Sequence, residues 1–392
     1  MICKDKICGS ALYFFISMSF FLFFVYSGQE QLKFMDSPHI VIGTLPIYLV
    51  MTFTFLSLVF SIGLNRIRFD SVAFLLFSRF LLHVISIRNG EIPPYFAVNF
   101  VTSTLCLCSY VISLNHYESG NGIISSYKCF FYILLIQIVA EMMMGTESFF
   151  GNAYYYKHDM ALPIGSSNAL AARVLPMFAI LFSSSEKKYF RFILTSLALT
   201  GIVLTKSRGG ILDFLLVFVI LMSWKGTVSK SFMLKFALFA LIIVGIMVVI
   251  SLNTDLMKIA FSESDSTMMG RFDLWRQGLG LFSEHVFLGT GFYYGIWGDN
   301  PHNFIVDILM RGGLTGLSLC IAISLTIFFK MKDYFYDSFV RGSVVAVCSL
   351  LWQGLVEIVL FSFIADIMMW CIIGNMMGHI NMIKNKGRSL NG

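Results

Sequence analysis

Residues 303–329 read NFIVDILMRGGLTGLSLCIAISLTIFF, and from Gly312 to Phe329 no charged residue interrupts them. Roughly 20 apolar residues in a helix suffice to cross the hydrocarbon core of a bilayer. Runs of the same kind recur on both sides of this one. They predict about twelve transmembrane helices, at 9–26, 40–63, 70–87, 94–114, 123–143, 166–184, 189–206, 209–224, 232–252, 303–329, 339–361 and 365–382. The run at 70–87 is marked by Arg79 and His83, and the run at 209–224 is short. No Asn-Gly or Asp-Gly hairpin joins alternating strands, so a membrane β-barrel is disfavoured. Helices are the remaining way to satisfy a backbone that has no water around it. The expected fold is therefore all-α and polytopic.

Composition supports this. Of 392 residues, 57% are hydrophobic, 16% aromatic and only 13% charged, with a mean hydropathy of +0.79. Soluble domains carry about 25% charged residues, and no soluble surface can be built from half that number. The apolar mass excludes disorder. Eight cysteines, mostly inside apolar runs, do not make a secreted disulfide framework. Near the start, Lys4 and Lys6 precede an apolar run that resembles a signal peptide. The stretch from Val25 to Gln29 is a poor cleavage site, so an uncleaved first span is expected.

Orientation follows from the lysines and arginines, which favour the cytoplasmic side. With an inside N-terminus and twelve crossings, seventeen fall on inside segments and eight outside. Arg79, Arg173 and Arg311 lie within spans, which accounts for all 28. Both termini are thus expected in the cytoplasm. The net charge of +6 reflects that bias and implies no nucleic acid. The chain divides into transmembrane helices 1–9 (1–252), a long outer loop (253–302), and helices 10–12 with a cytoplasmic tail (303–392).

The outside carries an anomaly. Five of its eight basic residues come after residue 200: Lys206, Arg208, Lys258, Arg271 and Arg276. They occupy the short turn Thr205-Lys206-Ser207-Arg208-Gly209-Gly210 and the loop 253–302. A loop that long in a compact protein is usually functional. Within it, Gly270 to Phe282 reads as a short amphipathic helix with Leu274, Gly278 and Leu281 on one face. Phe287 to Phe292 reads as a glycine turn, and Pro301-His302-Asn303 opens the next span.

Taken singly, each feature also has a bland reading. Arg208 reads equally as a snorkelling anchor, Arg271 and Arg276 as the solvated face of an interfacial helix, and His302 as a helix cap. Gly289 and Gly291 form neither a Walker A loop nor a dinucleotide fingerprint. Glu263 and Asp265 read as a polar loop, and no Cys/His cluster has zinc spacing, so neither metal nor cofactor is expected. Glu357, inside the eleventh span, is costly there and is a functional candidate by default. Its bland reading is as partner for an arginine such as Arg173 or Arg311. Arg79 and His83, one turn apart, are expected to be structural. Together, the outside arginines fit a phosphorylated ligand, which their planar forks bind bidentately. One histidine among them fits acid–base chemistry.

In order, Thr205 to Gly210, Gly270-Arg271-x-x-Leu274-Trp275, Leu288-Gly289-x-Gly291, and Pro301-His302-Asn303 followed by Gly313 resemble the O-antigen polymerase/ligase superfamily. The resemblance covers about residues 200–316. It implies a GT-C-like, metal-independent glycosyltransferase at the periplasmic face of the bacterial inner membrane. The substrates would be undecaprenyl-diphosphate-linked glycans, as donor and as acceptor. By motif, the essential residues would be Arg208, Arg271 and His302, with Glu357 matching an intramembrane acid more loosely. Lys206 and Arg276 would join Arg208 and Arg271 around the diphosphate. A chain-length regulator and a flippase would be natural partners, besides the membrane lipids.

The compact segment from Leu288 to Asn303 resembles polymerases more than ligases, which often carry a longer insertion before the histidine. Polymerisation onto another lipid-linked repeat unit is therefore expected in this lipopolysaccharide pathway, with ligation to lipid A–core as the alternative. A polysaccharide transporter or flippase also fits twelve spans. Against it, the charge gathers at one outer surface and the two halves of the chain are dissimilar.

Overall fold

The computed structural model describes residues 69–85, 94–115, 120–144, 167–224, 265–292, 301, 303–355 and 363–390. The runs expected at 9–26, 40–63 and 232–252 lie outside these residues. Ten α-helices follow one another: α1 (Ser71–Ile85), α2 (Pro94–Asn115), α3 (Gly120–Met144), α4 (Ser167–Ser184), α5 (Lys188–Leu204), α6 (Arg208–Trp224), α7 (Asp265–Glu284), α8 (Phe304–Met331), α9 (Ser338–Gly354) and α10 (Phe363–Leu390). A 3₁₀ turn, Lys332–Tyr334, links α8 to α9, and the described residues hold no strand. Nine of the helices sit where an apolar run was read. The tenth, α7, lies in the expected outer loop and spans 20 residues, longer than the amphipathic stretch read from Gly270 to Phe282. Two boundaries change: α9 closes at Gly354, short of the expected 361, and α10 runs to Leu390, so most of the stretch expected as a tail is helix.

The hub is α4. Ala171, Val174, Leu175, Phe178, Ala179 and Ile180 are fully buried, because α3, α5, α6 and α9 surround this helix. Elsewhere α10 lies along α2, and α1 along α8. The outer faces are apolar: Phe192, Ile136 and Phe329 are 73%, 68% and 59% exposed. A soluble protein does not present such surfaces widely. Two segments, Ile123–Ala140 and Phe304–Tyr334, are long and apolar enough to cross a membrane. Shorter apolar helices include Ser71–Ile85, Leu170–Ser184 and Gly209–Ser223.

Polar contacts gather at two opposite ends. At one, Lys330 Nζ meets Asp70 Oδ2 at 2.5 Å, and the Tyr110 hydroxyl donates to the same oxygen. Nearby, Asp337 caps α9 by accepting from the Phe339 and Val340 amides, and His379 Nε2 of α10 lies 3.1 Å from its carboxylate. Burial alone would raise the Asp337 pKa. The close His379 imidazole and the hydrogen bonds from the two amides outweigh it and hold the carboxyl below its usual value. At the other end meet the starts of α4, α6 and α8 and the close of α9.

Helix α8 is broken. Gly313 has φ 58° and ψ −157°, a region open only to glycine. The break frees backbone groups on both sides, and the turn 286–292 takes them up. The Thr290 and Gly291 amides donate to the Met310 and Arg311 carbonyls, each at 2.8 Å. In return, the Leu314 and Thr315 amides donate to the Val286 and Phe287 carbonyls at 2.8 and 3.1 Å. The approach is so close that a Cβ at Gly289 would lie 2.4 Å from the Arg311 carbonyl carbon, and one at Gly313 2.6 Å from Phe287. The glycine turn therefore belongs to the helix packing. Gly289 to Phe292 are buried, and the Phe292 ring packs 5.4 Å from His83 and 6.1 Å from Phe100.

This geometry sets a clear expectation. Gly313→Ala combines a forbidden φ with a backbone clash and should cost about 3 kcal/mol or more. Gly280→Ala, where a Cβ meets nothing within 4 Å, should be neutral or stabilising by up to ~1 kcal/mol through helix propensity. Thermal midpoints of the two detergent-solubilised variants test this; equal midpoints would mean that the break carries no constraint.

Candidate active site

The turn between α5 and α6 is built from its own side chains. Thr205 Oγ1 donates to the Ile202 carbonyl at 2.7 Å and accepts from the Ser207 amide. Lys206 takes φ 53°, the one non-glycine residue with positive φ among those described. Ser207 precedes α6, and its hydroxyl accepts from the Gly210 amide at 3.1 Å, an N-cap. The same hydroxyl donates to Asn168 Oδ1 of α4 at 2.7 Å. Arg208 is the first residue of α6, at the meeting of α4 and α6.

The start of α8 is fixed just as closely. Asn303 caps it, accepting from the Ile305 and Val306 amides at 2.9 and 3.2 Å. Its Nδ2 donates to the Leu355 carbonyl at the end of α9, 3.1 Å away. The cap of α8 is therefore Asn303, and not His302, which is freed from that bland reading. His302 and Glu357 themselves lie outside the described residues. Near them in sequence, Asn303 and Leu355 are joined directly, which ties the start of α8 to the close of α9.

A buried carboxylate completes the link to α6. Asp213 is fully buried, and its Oδ2 accepts from Ser349 Oγ at 2.6 Å and Gln353 Nε2 at 2.7 Å, both on α9. The starts of α6 and α8 and the close of α9 are thus held together by three side-chain links. Helix α7 joins through Gly278, where a Cβ would lie 2.7 Å from Val306 and 3.8 Å from Pro301. Position 271 is seven residues earlier and falls on the same stripe of α7. Arg276 is exposed, across the helix from that stripe.

Asp213 escaped the sequence reading, although a lone acid in an otherwise apolar helix is a signal in itself. Arg311, one of the partners considered for Glu357, pairs with Asp307, four residues earlier, at 3.0 Å. Arg79 and His83 line a small cleft with Ser103, Asp366 and Trp370, which supplies Arg79 with a carboxylate neighbour. Glu263 lies outside the described residues. Among those described, no group of three His, Cys, Asp or Glu could hold a metal ion.

These features define a helical membrane protein whose basic turn, capped helix start and intramembrane carboxylate meet at one end. Residues 193–321 match the family described as O-antigen ligase, a domain shared by polymerases and ligases. The match supports membership of the O-antigen polymerase/ligase superfamily, whose members are membrane enzymes of lipopolysaccharide biosynthesis that act on lipid-linked glycans. No match was found among curated proteins.

The Asp213 link is open to test. Asp213→Ala strips an acceptor from two buried donors and should lower stability by roughly 1–3 kcal/mol. In a double-mutant cycle with Gln353→Ala, the losses should couple by ~1 kcal/mol. Strictly additive thermal shifts would show that the bond contributes nothing.

Proposed function

We propose that this protein is an O-antigen polymerase. It transfers an undecaprenyl-diphosphate-linked glycan onto another lipid-linked repeat unit at the periplasmic face of the inner membrane, without a metal. The observation that carries the reading is the junction of the α6, α8 and α9 ends. Their neighbouring residues are Arg208, His302 and Glu357, and the α7 stripe holding position 271 adjoins them. The superfamily match over 193–321 adds support. Polymerase is favoured over ligase by the short distance in sequence from the glycine turn to His302.

In this mechanism a hydroxyl of the acceptor sugar attacks the anomeric carbon of the donor. The bond from that carbon to the diphosphate oxygen breaks, and undecaprenyl diphosphate leaves. Negative charge builds on the diphosphate as the bond opens. Arg208 and Arg271 take up that charge, where preorganised donors in a semi-dry site are most effective. Lys206 and Arg276 add positive potential at the rim. His302 accepts the proton of the attacking hydroxyl, which contributes roughly 10²–10⁴-fold, and Glu357 orients the histidine. Since the donor is already activated, no nucleotide is needed.

Arg208→Ala and Arg271→Ala should each lower turnover by about two to three decades. Lysine should restore only part, because a point charge cannot replace the bidentate fork. His302→Ala should lower turnover more than donor affinity. Protein level and glycan chain length, measured together in a deletion strain carrying each variant, decide the matter. Wild-type chain length in all three would sink the mechanism. The deletion strain itself should make lipopolysaccharide of core plus one repeat unit; bare core would identify a ligase instead. Purified activity should survive EDTA, and full loss reversed by a divalent ion would reveal an unrecognised metal site.

A further inference from the structure

Arg173 lies on α4 and is only 4% exposed. Its Nη1 has no hydrogen-bond partner, and among the described residues neither a hydrogen bond nor an ion pair reaches this guanidinium. The two other arginines read within spans are provided for: Arg311 holds Asp307 at 3.0 Å, and Arg79 sits among the carboxylates of Asp366 and Asp307. A guanidinium stays charged at any ordinary pH, and a buried charge without a counter-charge is a costly arrangement. Such a residue calls for an anion.

Its place in the fold points to which anion. Asn168 and Ala171, on the first turns of α4, touch Ser207 and the approach to Gly210 on either side of Arg208. Arg173 is two residues further along and about 200° around α4 from Ala171, so it shares the turn's level but faces α9. Ile180 is seven residues beyond Arg173 and so on the same stripe, and that stripe packs on Gly342 of α9. Seven residues of helix rise about 10 Å. Since α4 and α9 run in opposite directions, Arg173 stands near the level of Ser349, one turn before Gln353. It therefore lies beneath the same junction that gathers the ends of α6, α8 and α9.

We propose that Arg173 is a further binding residue of this site, a guanidinium without a partner among the described residues and paired by the diphosphate of the lipid-linked donor. The inference rests on the polymerase reading above and adds to it a cation from below the turn. Arginine suits the role because its fork binds two oxyanions at once. A buried cation would also draw the diphosphate inward between the helix ends, while the polyprenyl tail stays in lipid.

The test uses the full-length protein in phosphatidylcholine nanodiscs, titrated with undecaprenyl diphosphate. Removing an unpaired buried charge should help the empty protein, so Arg173→Leu should raise its thermal midpoint. The same variant should bind undecaprenyl diphosphate at least ~10-fold more weakly, as expected for the loss of a charge-assisted bond. Arg173→Gln should lose as much affinity, and Arg173→Lys should fall between. If Arg173→Leu lowers the midpoint and Glu357→Gln does so non-additively, the two form a structural ion pair and the proposal fails. If phosphatidylglycerol nanodiscs stabilise the wild type but not Arg173→Leu, the partner is a bulk lipid headgroup, which also overturns it. Arg208→Ala separates the two levels. Weak binding by Arg208→Ala with unchanged binding by Arg173→Leu and Arg173→Gln defeats this inference alone. No binding by the wild type defeats the polymerase reading with it.

Discussion

An apolar surround does not tolerate backbone groups without partners, and the break in α8 at Gly313 must answer to that constraint. Four main-chain hydrogen bonds from the 286–292 turn replace those that the helix gives up. Much of the architecture follows from this exchange. The turn can approach only because glycine stands at positions 289 and 313. Its burial places Phe292 against His83, so α1 is committed to the same neighbourhood. It also fixes the C-terminal end of α7, whose Gly278 settles on the first turn of α8. The helix that begins beside His302 is thereby clamped from its cap to its kink.

Most of the fold was legible because its signal is simple. Apolar length locates a membrane helix whatever its neighbours, so each of the nine described runs coincides with a helix, although α9 closes at Gly354 and α10 continues past the expected end at 382 to Leu390. The glycine turn was visible as a turn but not as a splice. Nothing local in Phe287 to Phe292 records that the groups it satisfies lie some twenty residues on, at Met310 and Arg311. The candidate site divides along the same line. Ser207 was quoted only as part of the turn, although a serine just before a helix is a common cap. Asn303 was quoted beside His302, yet its contact with Leu355 depends on how α8 meets α9. Asp213 was hidden for a different reason: its partners Ser349 and Gln353 are distant in sequence, and a single acid in a hydrophobic helix is easily taken as incidental.

The intramembrane charges show two ways of living with low dielectric. Arg311 and Asp307 neutralise each other on one helix, and the described ends near Lys330 do so across helices through Asp70. Asp213 is supported by neutral donors, a hydroxyl and an amide, which lend it hydrogen bonds without cancelling its charge. Pairing of the first kind holds helices in register. The second kind occurs at the end where the basic turn stands.

The two fixed points around residues 293–300 have a consequence for how such proteins diversify. Phe292 is anchored at the kink and Pro301 beneath Gly278, so this short stretch joins two places that the rest of the molecule already holds. Lengthening a connection between fixed ends is entropically cheap, about 0.6 kcal/mol for each doubling. Insertions could therefore accumulate there without disturbing the helix break on one side or the capped start of α8 on the other. A chain built this way is free to vary the stretch before Pro301 while the break in α8 and its capped start stay the same.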